Sequence, residues 1–402
     1  MIKKISISDL TPGMYVEDLN CDWKPHNEFN RKQGLIKKES IVERIREIGI
    51  TEVYIDSKKG LDVNHAEAIE DVSKEMDKKL QKVAEESFPQ EDQISVASEM
   101  RKAAKLHKEA KNLVDNVMSD VKLGKNIEVE NIEILSQEII NSVFRNKDAL
   151  SALGRIRHKD KYLLEHSVNL SVLMTVFGKS YGISKETLQQ ISIGALLHDI
   201  GKILIPESIL HKPGKLTAKE ILVMKKHVEY SRQLLLDTPD INELSIQVAS
   251  QHHERLDGNG YPDGLKGEEI SLYGRMVSIV DVYDAITSDR VYHKGMAPAT
   301  AFKKLIEWSG DHLDGALVHK FIKCMGIYPV GSLVELKSGR VGIVLEQHEK
   351  SHLLPKVRLI YNVKHHHYIK VQDIDLSKPS MQDEIVKPIV ADKYNLQVSK
   401  FM

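Results

Sequence analysis

The hydrophobic rhythm of the chain changes several times, and each change marks a different kind of element. Near the N-terminus, residues 14–16 follow the turn-forming Thr11-Pro12-Gly13 and read as a short strand. Ile41, Ile45 and Ile48 then recur at helical spacing, with Gly49 as the stop. Residues 51–56 alternate apolar and polar, as a half-buried strand does. Residues 64–88 are charged and helix-prone up to Pro89. From Val96 the apolar positions step by threes and fours through Met100, Ala103, Leu106, Ala110, Leu113, Val117 and Val121. That spacing predicts one face of a long helix. Such a face either lies on the chain's own core or forms a helical element joining two copies in a homodimer. After a break at Gly124, residues 127–144 resume the helical pattern.

Residues 145–327 form the longest helical stretch, punctuated at Pro206, Pro213-Gly214, Pro239 and residues 258–264. Thr217-Ala-Lys-Glu220 is a capping-box signature ahead of the apolar run 221–224. Beyond Tyr328-Pro329 the period falls to two. Residues 331–346 alternate around Ser338-Gly339, a hairpin signal, and residues 355–361 and 368–371 are further strand candidates. The expected layout is multidomain and mainly α. A small α+β domain (1–62) leads through a helical linker and possible dimer element (63–144) into an all-α bundle (145–327). A small β domain with a tail (328–402) follows.

Composition narrows the class. The 402 residues carry 57 Lys+Arg against 58 Asp+Glu, a net charge of −1. Near-neutrality argues against a dedicated nucleic-acid or anionic-membrane binder. No run approaches the ~18–20 apolar residues of a membrane span, and the N-terminus lacks the apolar core of a signal peptide. Two distant cysteines, Cys21 and Cys324, suggest no disulfide framework. A cytoplasmic protein is expected. The unusual count is 18 histidines, against two tryptophans and seven phenylalanines, so their positions carry information.

The run 191–200 is apolar except for Ser192 and the pair His198-Asp199 near its end. Burying a carboxylate beside an imidazole without a partner is expensive. The two can instead converge on a divalent metal, with nitrogen and oxygen donors. Lys202 follows within a turn and can bring an ammonium beside an anion bound there. The same reasoning applies to His227, on the helix opened by the capping box, and to His252-His253, where a helical run ends. It applies also to Asp281, which interrupts an apolar helix with Asp284 one turn later, and to His166. One such histidine is ordinary; five, with two aspartates, form a pattern. Seven nitrogen and oxygen donors without sulfur favour Fe, Mn or a similar ion. They are too many for one tetrahedral ion and suit two metals bridged by a shared carboxylate.

The motif His198-Asp199-Ile-Gly-Lys202, with His252-His253-Glu-Arg-Leu-Asp257-Gly-Asn-Gly260-Tyr261-Pro262, resembles the HD-GYP family of HD-superfamily phosphohydrolases. The resemblance spans residues 145–327 and includes His166-Ser-Val-Asn169, His227, Asp281 and Asp289-Arg290-Val-Tyr292. The segment from Leu10-Thr-Pro-Gly-Met-Tyr-Val16 onward looks like an uncharacterised domain often found before HD-GYP domains.

The resemblance implies an HD-type helical bundle and a phosphodiesterase acting on cyclic dinucleotides, above all cyclic di-GMP. Water activated by the metals would give pGpG or, after a second cut, GMP. A preference for mixed cyclic GMP-AMP, or a low-activity sensing module, are the alternatives. It implies metal-ligand roles for His166, His198, Asp199, His227, His252, His253 and Asp281, with Asp199 and Lys202 in catalysis. Lys202 and Arg290 would contact the scissile phosphate. Trimetal members carry a glutamate four residues before the first histidine; here that residue is Tyr162, so two metals are expected. Many members place Lys or Arg three residues after the phosphate-contacting arginine; here His293 stands there as a substrate contact. The Gly260-Tyr261-Pro262 loop would be a substrate lip or a docking surface for a diguanylate cyclase or adaptor, with Tyr261 as its exposed contact.

Overall fold

Two side-chain periods, two for strands and about 3.6 for helices, sort the chain into its elements. The computed structural model describes residues 1–21, 33–47, 49–63, 66–85, 94–155, 162–289, 294–348 and 351–401. They divide into two units: Met1–Gln81 with His211–Leu222, and Lys82–Leu210 with Val223–Met402.

The first unit contains β1 (Ile2–Ser6), β2 (Tyr15–Asp18), β3 (Gly34–Leu35), α1 (Glu39–Glu47), β4 (Glu52–Asp56) and β5 (Glu67–Ala68), followed by α2 (Ile69–Glu85). The sheet order is β3-β2-β4-β1-β5, and all pairings are antiparallel. Val42 and Ile45 of α1 join Leu10, Val16, Val53 and Ile55 in one core. Strand β1 is absent from the sequence reading because Lys3 and Lys4 interrupt its apolar signal. Both ammonium groups are held by carboxylates, Lys3 by Asp62 at 2.8 Å and Lys4 by Glu52 at 2.5 Å. With β5, the sheet runs past residue 62.

The second unit is a helical bundle carrying a sheet. Its helices are α3 (Val96–Lys122), α4 (Val129–Arg145), α5 (Lys147–Arg155), α6 (Tyr162–Tyr181), α7 (Lys185–Leu197), α8 (Glu207–Leu210) and α9 (Ala218–Lys225, which begins in the first unit). Then come α10 (His227–Leu236), α11 (Glu243–Gln251), α12 (Leu272–Thr287), α13 (Pro298–Glu307) and α14 (Gly315–Met325). Side chains of Ser95, Ser184, Asn242, Ser271 and Asp314 accept backbone N–H groups at the starts of α3, α7, α11, α12 and α14. They satisfy donors that a helix start leaves unpaired. The expected capping box also forms: Thr217 N–H donates to Glu220 Oε2 at 2.7 Å, and Glu220 N–H to Thr217 Oγ1 at 3.3 Å.

Helix α6 is the axis of the bundle, packed by α3, α4, α5, α7, α12 and α14. Of the α3 stripe, Ala103, Ala110, Val117 and Val121 are buried and Met100, Leu106 and Leu113 half-buried, and α3 packs on α4, α5 and α6 of the same chain. The chain's own core therefore covers the small residues of that face. His312 is buried in the turn before α14.

Strands β6 (Leu333–Leu336), β7 (Arg340–His348), β8 (Ser351–Asn362), β9 (His367–Asp375) and β10 (Ile385–Ile389) form an antiparallel sheet in the order β10-β6-β7-β8-β9. One face packs Val341, Ile343 and Ile360 under the tail residues Leu396 and Phe401, and the other gathers Val344, Val357 and Leu359. Strand β10 is missed from sequence because it contains Pro388. At a sheet edge that proline removes no ladder bond the sheet needs. His365, His366 and His367 are exposed at the β8–β9 connection, and Cys21 and Cys324 are free and buried.

Helices α3 and α4 are tied by a buried carboxylate. Glu99 is fully buried; it accepts from Arg145 Nη2 at 2.6 Å, Arg145 Nε at 2.9 Å and Ser142 Oγ at 2.8 Å. Arg145→Ala would strand that charge. Because the Arg145 side chain keeps 31% of its surface in solvent, the expected loss is about 2–3 kcal/mol, below that of a fully buried pair. Urea denaturation of the variant checks it, and an unchanged midpoint would contradict it.

Candidate metal centre

The site is built from helix ends. His198 directly follows α7, His227 opens α10 just after α9, and His252 directly follows α11. In each case Nδ1–H donates to a main-chain carbonyl three residues back: Ala195 at 2.8 Å, Met224 at 2.7 Å and Ala249 at 2.7 Å. Those carbonyls lie in last helical turns, where acceptors lack intrahelical partners. A carbonyl only accepts, so each Nδ1 carries a proton, and in the neutral form of the ring Nε2 is the bare nitrogen. One bond thus caps a helix and prepares a metal ligand.

His166, inside α6, is set differently. Its Nδ1 meets Asp284 Oδ2 at 2.7 Å. Asn169, one turn on, donates its Nδ2 to the other oxygen of Asp284. Gly201 allows the turn after Asp199 to press onto α10. A Cβ there would stand 2.2 Å from His227 O and 2.4 Å from Ser231 N, and Gly201 N–H donates to Ser231 Oγ at 2.9 Å.

Two triads result: His166, His198 and Asp199, and His227, His252 and His253, each with donor atoms within 4.8 Å of one another. Both aspartates face both triads. Asp199 Oδ2 lies 3.2 Å from His198 Nε2 and 3.7 Å from His166 Nε2, while Oδ1 lies 3.3 Å from His227 Nε2 and 3.9 Å from His252 Nε2. Asp281 Oδ1 is 3.2 Å from His166 Nε2, and its Oδ2 is 3.5 Å from His253 Nδ1. Asp199 Oδ1, His227 Nε2 and His252 Nε2 are buried with no hydrogen-bond partner among the described residues. Buried acceptors that face one another unpaired are costly and fit a cation between them. Lys202 Nζ contacts Asp199 Oδ2 at 2.5 Å.

The seven histidine and aspartate positions singled out from sequence are therefore together, with Lys202 beside them. Arg290 and His293 lie outside the described residues. Tyr261, expected to be exposed, is half-buried. Its ring centroid is 4.8 Å from that of His253, and Lys225 Nζ lies 4.9 Å from the same centroid. Glu165 is turned toward α3, where it pairs with Lys111 at 2.7 Å and His107 at 3.5 Å. Sequence reasoning left the roles of two supporting carboxylates unseen. One is Asp284, noted one turn after Asp281 but not as the partner of His166. The other is buried Glu254, which accepts N–H bonds from Asp263, Gly264 and Leu265 at 2.8, 3.2 and 3.0 Å and so shapes the Gly-Tyr-Pro loop.

Burial dominates the electrostatics. It pushes His252 down to about 3, helped by the neighbouring His198. It also lowers His227 and holds His253 well below the imidazole range. Burial alone would raise Asp199, but His198 and Lys202 outweigh it and hold that carboxyl well below its usual range. His166 moves the other way: burial opposes its charge, yet Asp281 and Asp284 raise it.

The sequence also resembles those of known proteins. Residues 148–317 match the family model of the HD domain, and residues 2–132 match a domain of unknown function, DUF3391. The cyclic di-GMP phosphodiesterase PA4108 of Pseudomonas aeruginosa is 37% identical over 397 residues, which is 99% of this chain and 94% of that protein. This chain belongs to the HD-GYP family. Within the family, it is 37% identical over 181 residues (44% of this chain, 48% of the relative) to the response regulator RpfG of Xanthomonas campestris, a cyclic di-GMP phosphodiesterase. It is 38% identical over 144 residues (36% and 28%) to a 3'3'-cGAMP-specific phosphodiesterase of Vibrio cholerae. No helix among the described residues is long and apolar enough to cross a membrane.

The depressed imidazoles give a pH dependence to the metal-free protein. In the unfolded chain each titrates near 6.5, whereas folded His252 titrates near about 3. Between those values the unfolded state binds more protons, so stability falls as pH falls. Thermal melts of the chelated protein from about pH 8 to about pH 5 should show a Tm that is level at first and drops below about pH 6.5. A Tm that rises on acidification would contradict the burial argument.

Proposed function

We propose that this HD-GYP protein is a metal-dependent phosphodiesterase that opens cyclic di-GMP to linear pGpG, with two divalent ions, Fe or Mn, held at the two triads. The observation that carries the reading is the pair of aspartates whose oxygens divide between the triads, Asp199 above all. His166 and His198 would serve one ion and His227, His252 and His253 the other, with Asp199 and Asp281 reaching both. When bound, such ions act as Lewis acids on phosphate oxygens and lower the pKa of water.

The protein's own groups do the rest. Lys202 places an ammonium at the rim of Asp199, with 15% of its side chain exposed. It is suited to offset charge on the equatorial oxygens of the phosphate, where electrostatics contribute most in phosphoryl chemistry. Asp284 holds the proton of His166 on Nδ1 and so keeps Nε2 available. Tyr261 forms a wall beside His253, on the side where a nucleotide would lie. Arg290 and His293 are the further phosphate contacts expected from the family pattern.

The test is purification under reducing, low-oxygen conditions, metal analysis, and parallel turnover of cyclic di-GMP and mixed cyclic GMP-AMP. Two metal equivalents, pGpG as product and faster turnover of cyclic di-GMP are expected. Asp199→Ala or His198→Ala should abolish hydrolysis, and robust metal-dependent turnover in either would remove the assignment. Asp284→Asn should cost about 10–100-fold in metal affinity or activity, the usual effect of losing a carboxylate behind a ligating histidine. A variant with wild-type metal affinity and rate would show that Asp284 does not hold His166 for this purpose.

A further inference from the structure

Lys225 ends α9, two residues before His227, and is half-buried. Its Nζ stands 4.9 Å from the ring centroid of Tyr261. That ring is in turn 4.8 Å from the centroid of His253 and 6.4 Å from that of His227, so the ammonium stands at the edge of the metal centre. The ring is held in place by the loop that carries it. Tyr261 N–H donates to His253 O at 3.2 Å, and Asp263 N–H donates to Glu254 Oε1 at 2.8 Å. Gly260 lies so close to the turn after α11 that a Cβ there would stand 2.5 Å from Arg255 N.

The neighbouring cations are committed. Lys202 contacts Asp199 at 2.5 Å, Arg232 reaches Asp263 at 2.6 Å, and Arg255 pairs with Asp257. Lys225 differs. Among the described residues no carboxylate lies within ion-pair distance of its Nζ, and the contact it keeps is the face of Tyr261. A cation over a ring is held less strongly than one bonded to an anion. A half-buried ammonium without a carboxylate is suited to an anion that arrives from outside. Its place in the last turn of α9 is favourable for any cation, but that does not bring Nζ to Tyr261.

A cyclic dinucleotide carries two phosphodiesters in one ring, each with a negative charge. The metal centre engages the one that is cut, and the other enters with it and needs a cation of its own. Resting on the substrate reading given above, we propose that Lys225 is a substrate-binding residue that meets this second phosphate, with Tyr261 fixing where the ammonium stands. Lys225 thereby favours cyclic dinucleotides over phosphodiesters that carry a single phosphate.

Steady-state turnover of two substrates by the full-length, metal-loaded protein tests this. One is cyclic di-GMP; the other is bis(p-nitrophenyl) phosphate, which has only the phosphate that is cut. The quantity read is the ratio of kcat/KM on the first to kcat/KM on the second, which does not depend on the fraction of folded enzyme. In Lys225→Met the ratio should fall at least about tenfold, mostly through KM for cyclic di-GMP. Lys225→Gln should behave alike and serves if Lys225→Met folds poorly, while Lys225→Arg, which keeps the cation, should restore most of the ratio. An unchanged ratio in Lys225→Met or Lys225→Gln, with both substrates slowed equally or not at all, overturns the role of Lys225 and leaves the substrate reading intact. A wild-type protein that cuts bis(p-nitrophenyl) phosphate but not cyclic di-GMP overturns the substrate reading and this inference with it.

Discussion

A carboxylate without access to water must be neutralised by its neighbours, and Asp199, fully buried in the bundle, sets that demand. Four imidazoles and one ammonium surround it within 3.9 Å. Burial has already driven three of the site's five histidines toward neutrality, so Lys202 alone cannot balance every charge in the pocket. The arrangement is that of donors waiting for a cation. Much of the surrounding architecture serves it: Gly201 lets the turn close on α10, and the ends of α7, α9 and α11 meet at one point.

The histidines are prepared before any metal arrives. Of the five, three are fixed by main-chain carbonyls and His166 by Asp284. Fixing the proton on Nδ1 removes a tautomer choice and a rotation that binding would otherwise have to settle. The raised His166 and the lowered His252 both contact His198 and are shifted for different reasons, one facing two carboxylates and the other enclosed beside further imidazoles.

The site was more legible in the sequence than the fold around it. His198-Asp199, His252-His253 and Asp281 stand out because they interrupt apolar helices, and a polar residue there needs a reason. Asp284 lies on the same helix one turn further, but only the crossing of α6 with α12 shows that it meets His166. Glu254 was invisible for a similar reason: its partners are backbone N–H groups of the next loop, and backbone leaves no trace in composition. Tyr261 was misjudged because loop residues are assumed exposed, whereas this ring leans on His253. Among the elements, β1 was hidden by Lys3 and Lys4 and β10 by Pro388. The periodicity of α3 revealed a buried stripe without saying what would bury it.

The carbonyls that hold the ring protons belong to Ala195, Met224 and Ala249, and their side chains have no part in the bond. No point substitution at those three positions deletes the acceptor; only a change in where the helix ends can move it. The tautomers of His198, His227 and His252 are thus insulated from sequence drift around them, whereas His166 depends on one carboxylate that a single base change can replace. Across diverging relatives, variation in metal preference should therefore enter through the His166–Asp284 pair before it reaches the other three histidines.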